Sequence, residues 1–190
     1  MDERSKIKTV SLNVHCALYD GGYIYLFPEE FNCLYRFDVS DGGIEDLGSI
    51  PWENKCENRL IDKIIKAGDR IFFVPFSAKY LTVYDTATSE YSKVDIRNVE
   101  GIHVQGVFVD AFASDQYIYL IGGTAPAIVR VDLNDYSVQV LKSCFDDVNP
   151  MVFNPTDSYF RSCGIVYDDC FITPFCNANA VLIFYYREMK

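Results

Sequence analysis

The feature that most constrains this chain is a repeat. Tyr23-Ile24-Tyr25-Leu26-Phe27-Pro28 followed by Leu34-Tyr35-Arg36-Phe37-Asp38 returns as Ile71-Phe72-Phe73-Val74-Pro75 followed by Leu81-Thr82-Val83-Tyr84-Asp85. It returns again as Tyr117-Ile118-Tyr119-Leu120-Ile121-Gly122 followed by Ile128-Val129-Arg130-Val131-Asp132. Asp38, Asp85 and Asp132 fall 47 residues apart, and Pro28, Pro75 and Gly122 keep the same interval. A looser fourth copy, Phe171-Ile172-Thr173-Pro174-Phe175 and Val181-Leu182-Ile183-Phe184-Tyr185, ends on Tyr185 in place of the aspartate. A fixed period of this length is the mark of stacked units, each too small to bury its own apolar faces.

Each copy holds more strand-forming sequence. His15–Tyr19, Ile61–Lys66, Val107–Ala113 and Arg161–Tyr167 precede the two motifs. Asp20-Gly21-Gly22, Gly68-Asp69, Ser114-Asp115 and Asp168-Asp169 separate these runs from the first motif of each copy, and such pairs suit tight hairpins. Ile44–Leu47, Tyr91–Ile96 and Tyr136–Leu141 supply a last strand in the first three copies. The unit is a four-stranded antiparallel meander. Its central runs are almost continuously apolar, as expected when both faces are covered, whereas Tyr91-Ser92-Lys93-Val94 alternates as a half-wet strand does. The aromatic content of 15%, mostly Tyr and Phe, favours strands over helices. The expected fold is all-β: a β-propeller-like array of about four four-stranded antiparallel blades, at roughly 11–50, 59–97, 106–142 and 158–190, in a single domain spanning 1–190. The last blade is expected to lack its outer strand. The run Ile7–Leu12 is a candidate to supply it. The array is then expected to close alone, to pair with a second copy, or to belong to a longer propeller.

The glycine pair in Ile118-Tyr119-Leu120-Ile121-Gly122-Gly123, with Val131-Asp132 and Tyr136 downstream, resembles the kelch repeat. Gly-Gly occurs in one of the four copies, and Tyr91 and Tyr136 stand where kelch repeats carry Trp. No Trp-Asp or Gly-His pair of the WD40 type is present. The resemblance implies a propeller and a role in presenting loops to a protein or peptide partner.

A net charge of −10, with no Lys/Arg stripe, argues against nucleic acid as a partner. The polar start and the absence of any apolar run near 18 residues lead to an expected cytoplasmic location and no membrane association. Seven cysteines at irregular spacing, with no Cys-x-x-Cys pair, read as free thiols rather than metal ligands or disulfides. No nucleophile elbow, zinc-helix motif or phosphate loop is present, so no catalytic residue, metal or cofactor is expected.

Sites in such an array lie at the mouths of the central channel. The 47-residue alignment sets His15, Asp62 and Val109 at one level, with Ser162 in the fourth copy, and Cys16, Lys63, Asp110 and Cys163 at the next. His15, Asp62, Lys63, Asp110 and Arg161 are therefore channel candidates, able to hold a small ligand or to form a wet network between blades. Asp38, Asp85 and Asp132 read as turn-capping residues, because they recur at one turn. Arg59 and Trp52, in blade-connecting sequence, are candidates for partner contact. Trp52 serves equally as a plug between blades. Three functions are compatible with these residues: a non-enzymatic interaction or ligand-binding module, a carbohydrate-binding or carbohydrate-processing propeller, and a fragment of a longer propeller.

Overall fold

The computed structural model describes residues 13–54, 59–99, 102–103, 108–123, 127–141, 160, 163–176 and 181–187. Every helix-or-strand element among them is a strand. The first sheet runs β1 (Val14–Asp20), β2 (Tyr23–Pro28), β3 (Tyr35–Asp38), β4 (Ile44–Asp46) in spatial as well as chain order. The second runs β5 (Ile61–Ala67), β6 (Arg70–Pro75), β7 (Leu81–Asp85), β8 (Glu90–Val94). A two-stranded hairpin, β9 (Asn98–Val99) and β10 (Ile102–His103), precedes the third sheet. That sheet is β11 (Phe108–Ala113), β12 (Tyr117–Gly122), β13 (Ile128–Asp132), β14 (Val138–Leu141). The fourth has three strands, β15 (Ile165–Tyr167), β16 (Cys170–Pro174) and β17 (Val181–Tyr185). All pairings are antiparallel. The architecture is therefore an all-β array of propeller-type meander blades, the last one three-stranded. The run Ile7–Leu12 lies outside the described residues.

The repeat is geometric as well as chemical. The turn between the third and fourth strands of a blade needs a left-handed residue, and Gly42 (φ 76), Ser89 (φ 60) and Tyr136 (φ 59) occupy it at the 47-residue interval. Their amides donate to the carbonyls of Asp38, Asp85 and Asp132 at 2.9, 2.8 and 3.1 Å. The carboxylates of the same aspartates accept from the amides of Ser40, Ala87 and Asn134 at 2.8, 2.9 and 2.7 Å. The recurring aspartate is an Asx-turn residue, and its carboxylate satisfies turn amides that neither strand can reach.

Three apolar clusters hold the blades face to face. Tyr25 and Phe27 of blade 1 meet Ile64, Ile71 and Phe73 of blade 2. Ile65, Phe72 and Val83 on the opposite face of blade 2 meet Ala111, Ile118 and Val129 of blade 3. Phe112 and Tyr119 of blade 3 meet Phe171 and Phe184 of blade 4. The Phe112 ring stacks on Tyr119 at 4.7 Å and on Phe171 at 4.5 Å. Gly164 makes room for this junction: a Cβ there would stand 2.0 Å from the Phe171 ring. The central strands β6 and β12 are buried along almost their whole length, while β8 is mostly exposed.

Candidate functional site

The innermost strands β1, β5 and β11 lie side by side, and each begins with the same irregularity. The register slips between Val14 and Cys16, between Ile61 and Lys63, and between Phe108 and Asp110. The residues left over are His15, Asp62 and Val109, the level set by the 47-residue alignment. A bulge turns the extra side chain away from its strand partner, and here it brings residues of neighbouring blades together. His15 Nε2 of blade 1 stands 3.7 Å from Asp62 Oδ1 of blade 2. Arg59 pairs with the same oxygen at 2.5 Å and lies over the Phe76 ring at 3.9 Å. One residue further, Lys63 of blade 2 pairs with Asp110 of blade 3. The other oxygen of Asp110 accepts from the Gly164 amide of blade 4 at 2.8 Å.

These groups tie four blades at one end of the inner strands. Asp110 is fully buried, and burial is what raises Asp62 above its ordinary value despite the Arg59 guanidinium and the His15 ring beside it. Cys16, on the same strand as His15, is pushed up to about 12 by burial, with the Asp62 charge adding to it. Asp62 Oδ2 is buried and has no hydrogen-bond partner among the described residues. Arg161 and Ser162, the remaining candidates at this end, lie outside the described residues.

The other end of the inner strands carries the hairpin turns. Between the turns of blades 2 and 3 and the end of blade 4 opens a cleft of about 740 Å³. Its walls include Lys66, Asp115, Gln116, Tyr117, Leu133 and Arg187. Lys66 is held by Asp20 of blade 1, Arg187 by Asp169 at 2.8 Å, and Arg70 ties blade 2 to blade 3 through the Leu133 carbonyl at 2.9 Å. The cleft walls hold one carboxylate among the described residues, Asp115. Nothing in the sequence marked this cleft, because its walls come from turns of three blades whose residues follow no motif.

Trp52 is half-buried against the junction of blades 1 and 2. Its loop is clamped by Asn32, whose side chain donates to the carbonyls of Ile50 (3.0 Å) and Glu53 (2.8 Å) and accepts from the Ile50 amide (3.1 Å). Lys93 lies over the ring at 5.6 Å. Arg36 lies over Tyr23 at 4.7 Å and Arg130 over Tyr117 at 4.4 Å. Among the described residues no three His, Cys, Asp or Glu side chains stand together as a metal site.

No family model and no curated protein sequence matches this chain. Solved structures do. The computationally designed Ika4 protein aligns over 95% of this chain and 95% of its own, with a TM-score of 0.62 and 7% identity. The WD40 repeats of RRP9 align over 94% of this chain at a TM-score of 0.59 and 12% identity. A chain of the mitotic checkpoint complex aligns over 94% at 0.61 and 10%. This chain spans 53% of the RRP9 chain and 50% of the checkpoint chain. At these identities the likeness establishes the propeller-type fold and nothing finer.

Proposed function

We propose that this protein is a non-enzymatic interaction module, and that its hairpin-end cleft receives a peptide segment of a protein partner. The observation that carries this reading is the cleft itself: about 740 Å³, walled by turns that the inter-blade ties hold in place. Its lining mixes three aromatic rings, Tyr117, Tyr119 and Tyr186, with donors and acceptors of both signs at Lys66, Asp115, Gln116 and Arg187. Such a surface binds an extended chain by backbone hydrogen bonds and a few side-chain anchors. Solved neighbours that belong to multi-protein assemblies, such as the mitotic checkpoint complex, support it by analogy of fold. The kelch-type assignment belongs to this proposal and rests on Gly122-Gly123 closing β12. So does a reducing, cytoplasmic setting, supported by the free thiols of Cys16, Cys33, Cys163, Cys170 and Cys176.

The test is selection of peptides from a random displayed library on immobilised protein. Enriched peptides should bind wild type and lose at least tenfold affinity on the variant Asp115→Ala/Gln116→Ala, whose two residues are exposed on the cleft wall. No enrichment, or peptides that bind the variant equally well, refutes the reading. Asp62 Oδ2 favours a second reading, in which the bulge end holds a small donor ligand framed by His15, Asp62, Lys63 and Asp110. A thermal-shift screen of small amines should then give stabilisation that Asp62→Asn abolishes, and a screen without such a hit dismisses it.

A further inference from the structure

The three junctions inside the chain obey one rule. Take the face of each blade that meets the following blade. Its central row is Leu18-Tyr25-Arg36 in blade 1, Ile65-Phe72-Val83 in blade 2 and Phe112-Tyr119-Arg130 in blade 3. The face that meets the preceding blade carries Lys66-Ile71-Tyr84 in blade 2, Ala113-Ile118-Val131 in blade 3 and Val166-Phe171-Phe184 in blade 4. Every junction sets a row of the first kind against a row of the second.

One row of each kind is left over. Blade 4 ends on Ile165-Ile172-Ile183, aligned strand to strand. Blade 1 begins with Tyr19-Ile24-Phe37-Ile44. Inside the array the matching residues Ile65, Phe72 and Val83 are 8, 0 and 1% exposed. At the ends, Ile165 is 60%, Ile183 49%, Tyr19 69% and Ile44 55% exposed, and Tyr167, Val181 and Tyr185 stand exposed beside the blade 4 row. The two end faces therefore do not cover each other within the chain. Two contiguous apolar sheet faces on one small protein are rare unless something sits on them.

We propose that the occupant is a second copy of this chain, joined head to tail. The blade 4 face of one copy takes the blade 1 face of the other, by the rule of the internal junctions. Each copy offers one face of each kind, so a ring of two copies has two equal junctions and leaves no face over. The complementarity is built into the repeat: the left-over faces are the counterparts of faces that already pair three times in the same molecule. The inference does not depend on what the hairpin-end cleft binds.

Light scattering during size exclusion tests it. The wild type should run at twice the monomer mass of 21.7 kDa. Ile183→Lys on the blade 4 face and Tyr19→Glu on the blade 1 face each damage both junctions of the ring, and each variant should run as a monomer with unchanged far-ultraviolet circular dichroism. Both residues are exposed in the single chain, so folding is spared. An equimolar mixture of the two variants should recover a dimer, because one junction is then intact and the other sets the introduced lysine of one copy in the same junction as the introduced glutamate of the other. A monomeric wild type overturns the proposal. So does a dimer that survives either variant, or a mixture that stays monomeric.

Discussion

Asp110 is the residue on which the inner end of the array most depends. It is fully buried on β11 and binds three groups: Lys63 of blade 2, the Ala111 amide at 2.8 Å, and the Gly164 amide of blade 4 at 2.8 Å. Asp110→Ala leaves two backbone amides without their acceptor, each costing about 1–3 kcal/mol when buried. Lys63 is 31% exposed and can turn towards water, so its stranded charge adds little. The expected loss is about 3–5 kcal/mol, the range for breaking a buried pair, against a total stability of about 5–15 kcal/mol. Asp110→Asn keeps one acceptor oxygen and should lose about half as much. Lys63→Met leaves the carboxylate buried with only its two amides and should cost about 2–3 kcal/mol by the same reasoning. The double variant Lys63→Met/Asp110→Asn should cost less than the two singles together by about 1–2 kcal/mol, the coupling of a contacting pair. Urea unfolding at constant m-value measures each, and amide exchange at Gly164 should quicken in Asp110→Ala alone. A loss below about 1 kcal/mol for Asp110→Ala, or strict additivity, would refute the reasoning.

Three single positions give further expected outcomes. Ser89 is exposed and held at φ 60, so Ser89→Gly should raise stability by about 1 kcal/mol; Tyr136→Gly at the equivalent turn should not, since that ring meets Phe72 and Arg70, and thermal melts compare the two. Gly164→Ala places a methyl inside the Phe171 ring and should cost about 1–3 kcal/mol or more by overpacking, a loss that Gly164→Ala/Phe171→Leu should partly recover in the same melts. Asp62 has its folded pKa above the unfolded value near 3.9, so the folded state holds that proton more tightly. Its contribution to stability is greatest below the unfolded pKa and is lost as pH rises through the folded one. Wild type should therefore gain on Asp62→Asn as pH falls from 7 to 4, and the opposite trend in paired denaturation curves would count against a buried, desolvated carboxylate.

The channel residues show how far a repeat can be read. The 47-residue interval placed His15 beside Asp62 in level and Lys63 beside Asp110, and both pairs meet in space. That worked because equivalent positions of stacked identical units must fall at one height. The innermost strand of blade 4 was harder to place: the expected run 161–167 is described as a strand only over Ile165–Tyr167, and the insertion before Tyr185 breaks the interval that located the others. The hairpin-end cleft was invisible because turns of three blades wall it, and the hairpin β9–β10 was missed because two-residue strands carry no periodicity. Arg59, a candidate for partner contact, lies between Asp62 and Phe76, a placement that depends on where β6 ends rather than on its own neighbours in sequence.

The sequence by itself determined the strands, the turns and the blade period, because these depend on alternation, on residues tolerating positive φ, and on Asx turns, all interactions within about five residues. Its rows of isoleucine, phenylalanine and tyrosine also dictated that blades must stack. Only the tertiary structure decided which carboxylates meet which cations, where Trp52 lodges, and that the faces of blades 1 and 4 stand apart. Those outcomes depend on the angle at which one sheet settles on the next, which is set by side-chain volumes summed across each junction and has no signature in any single stretch of chain.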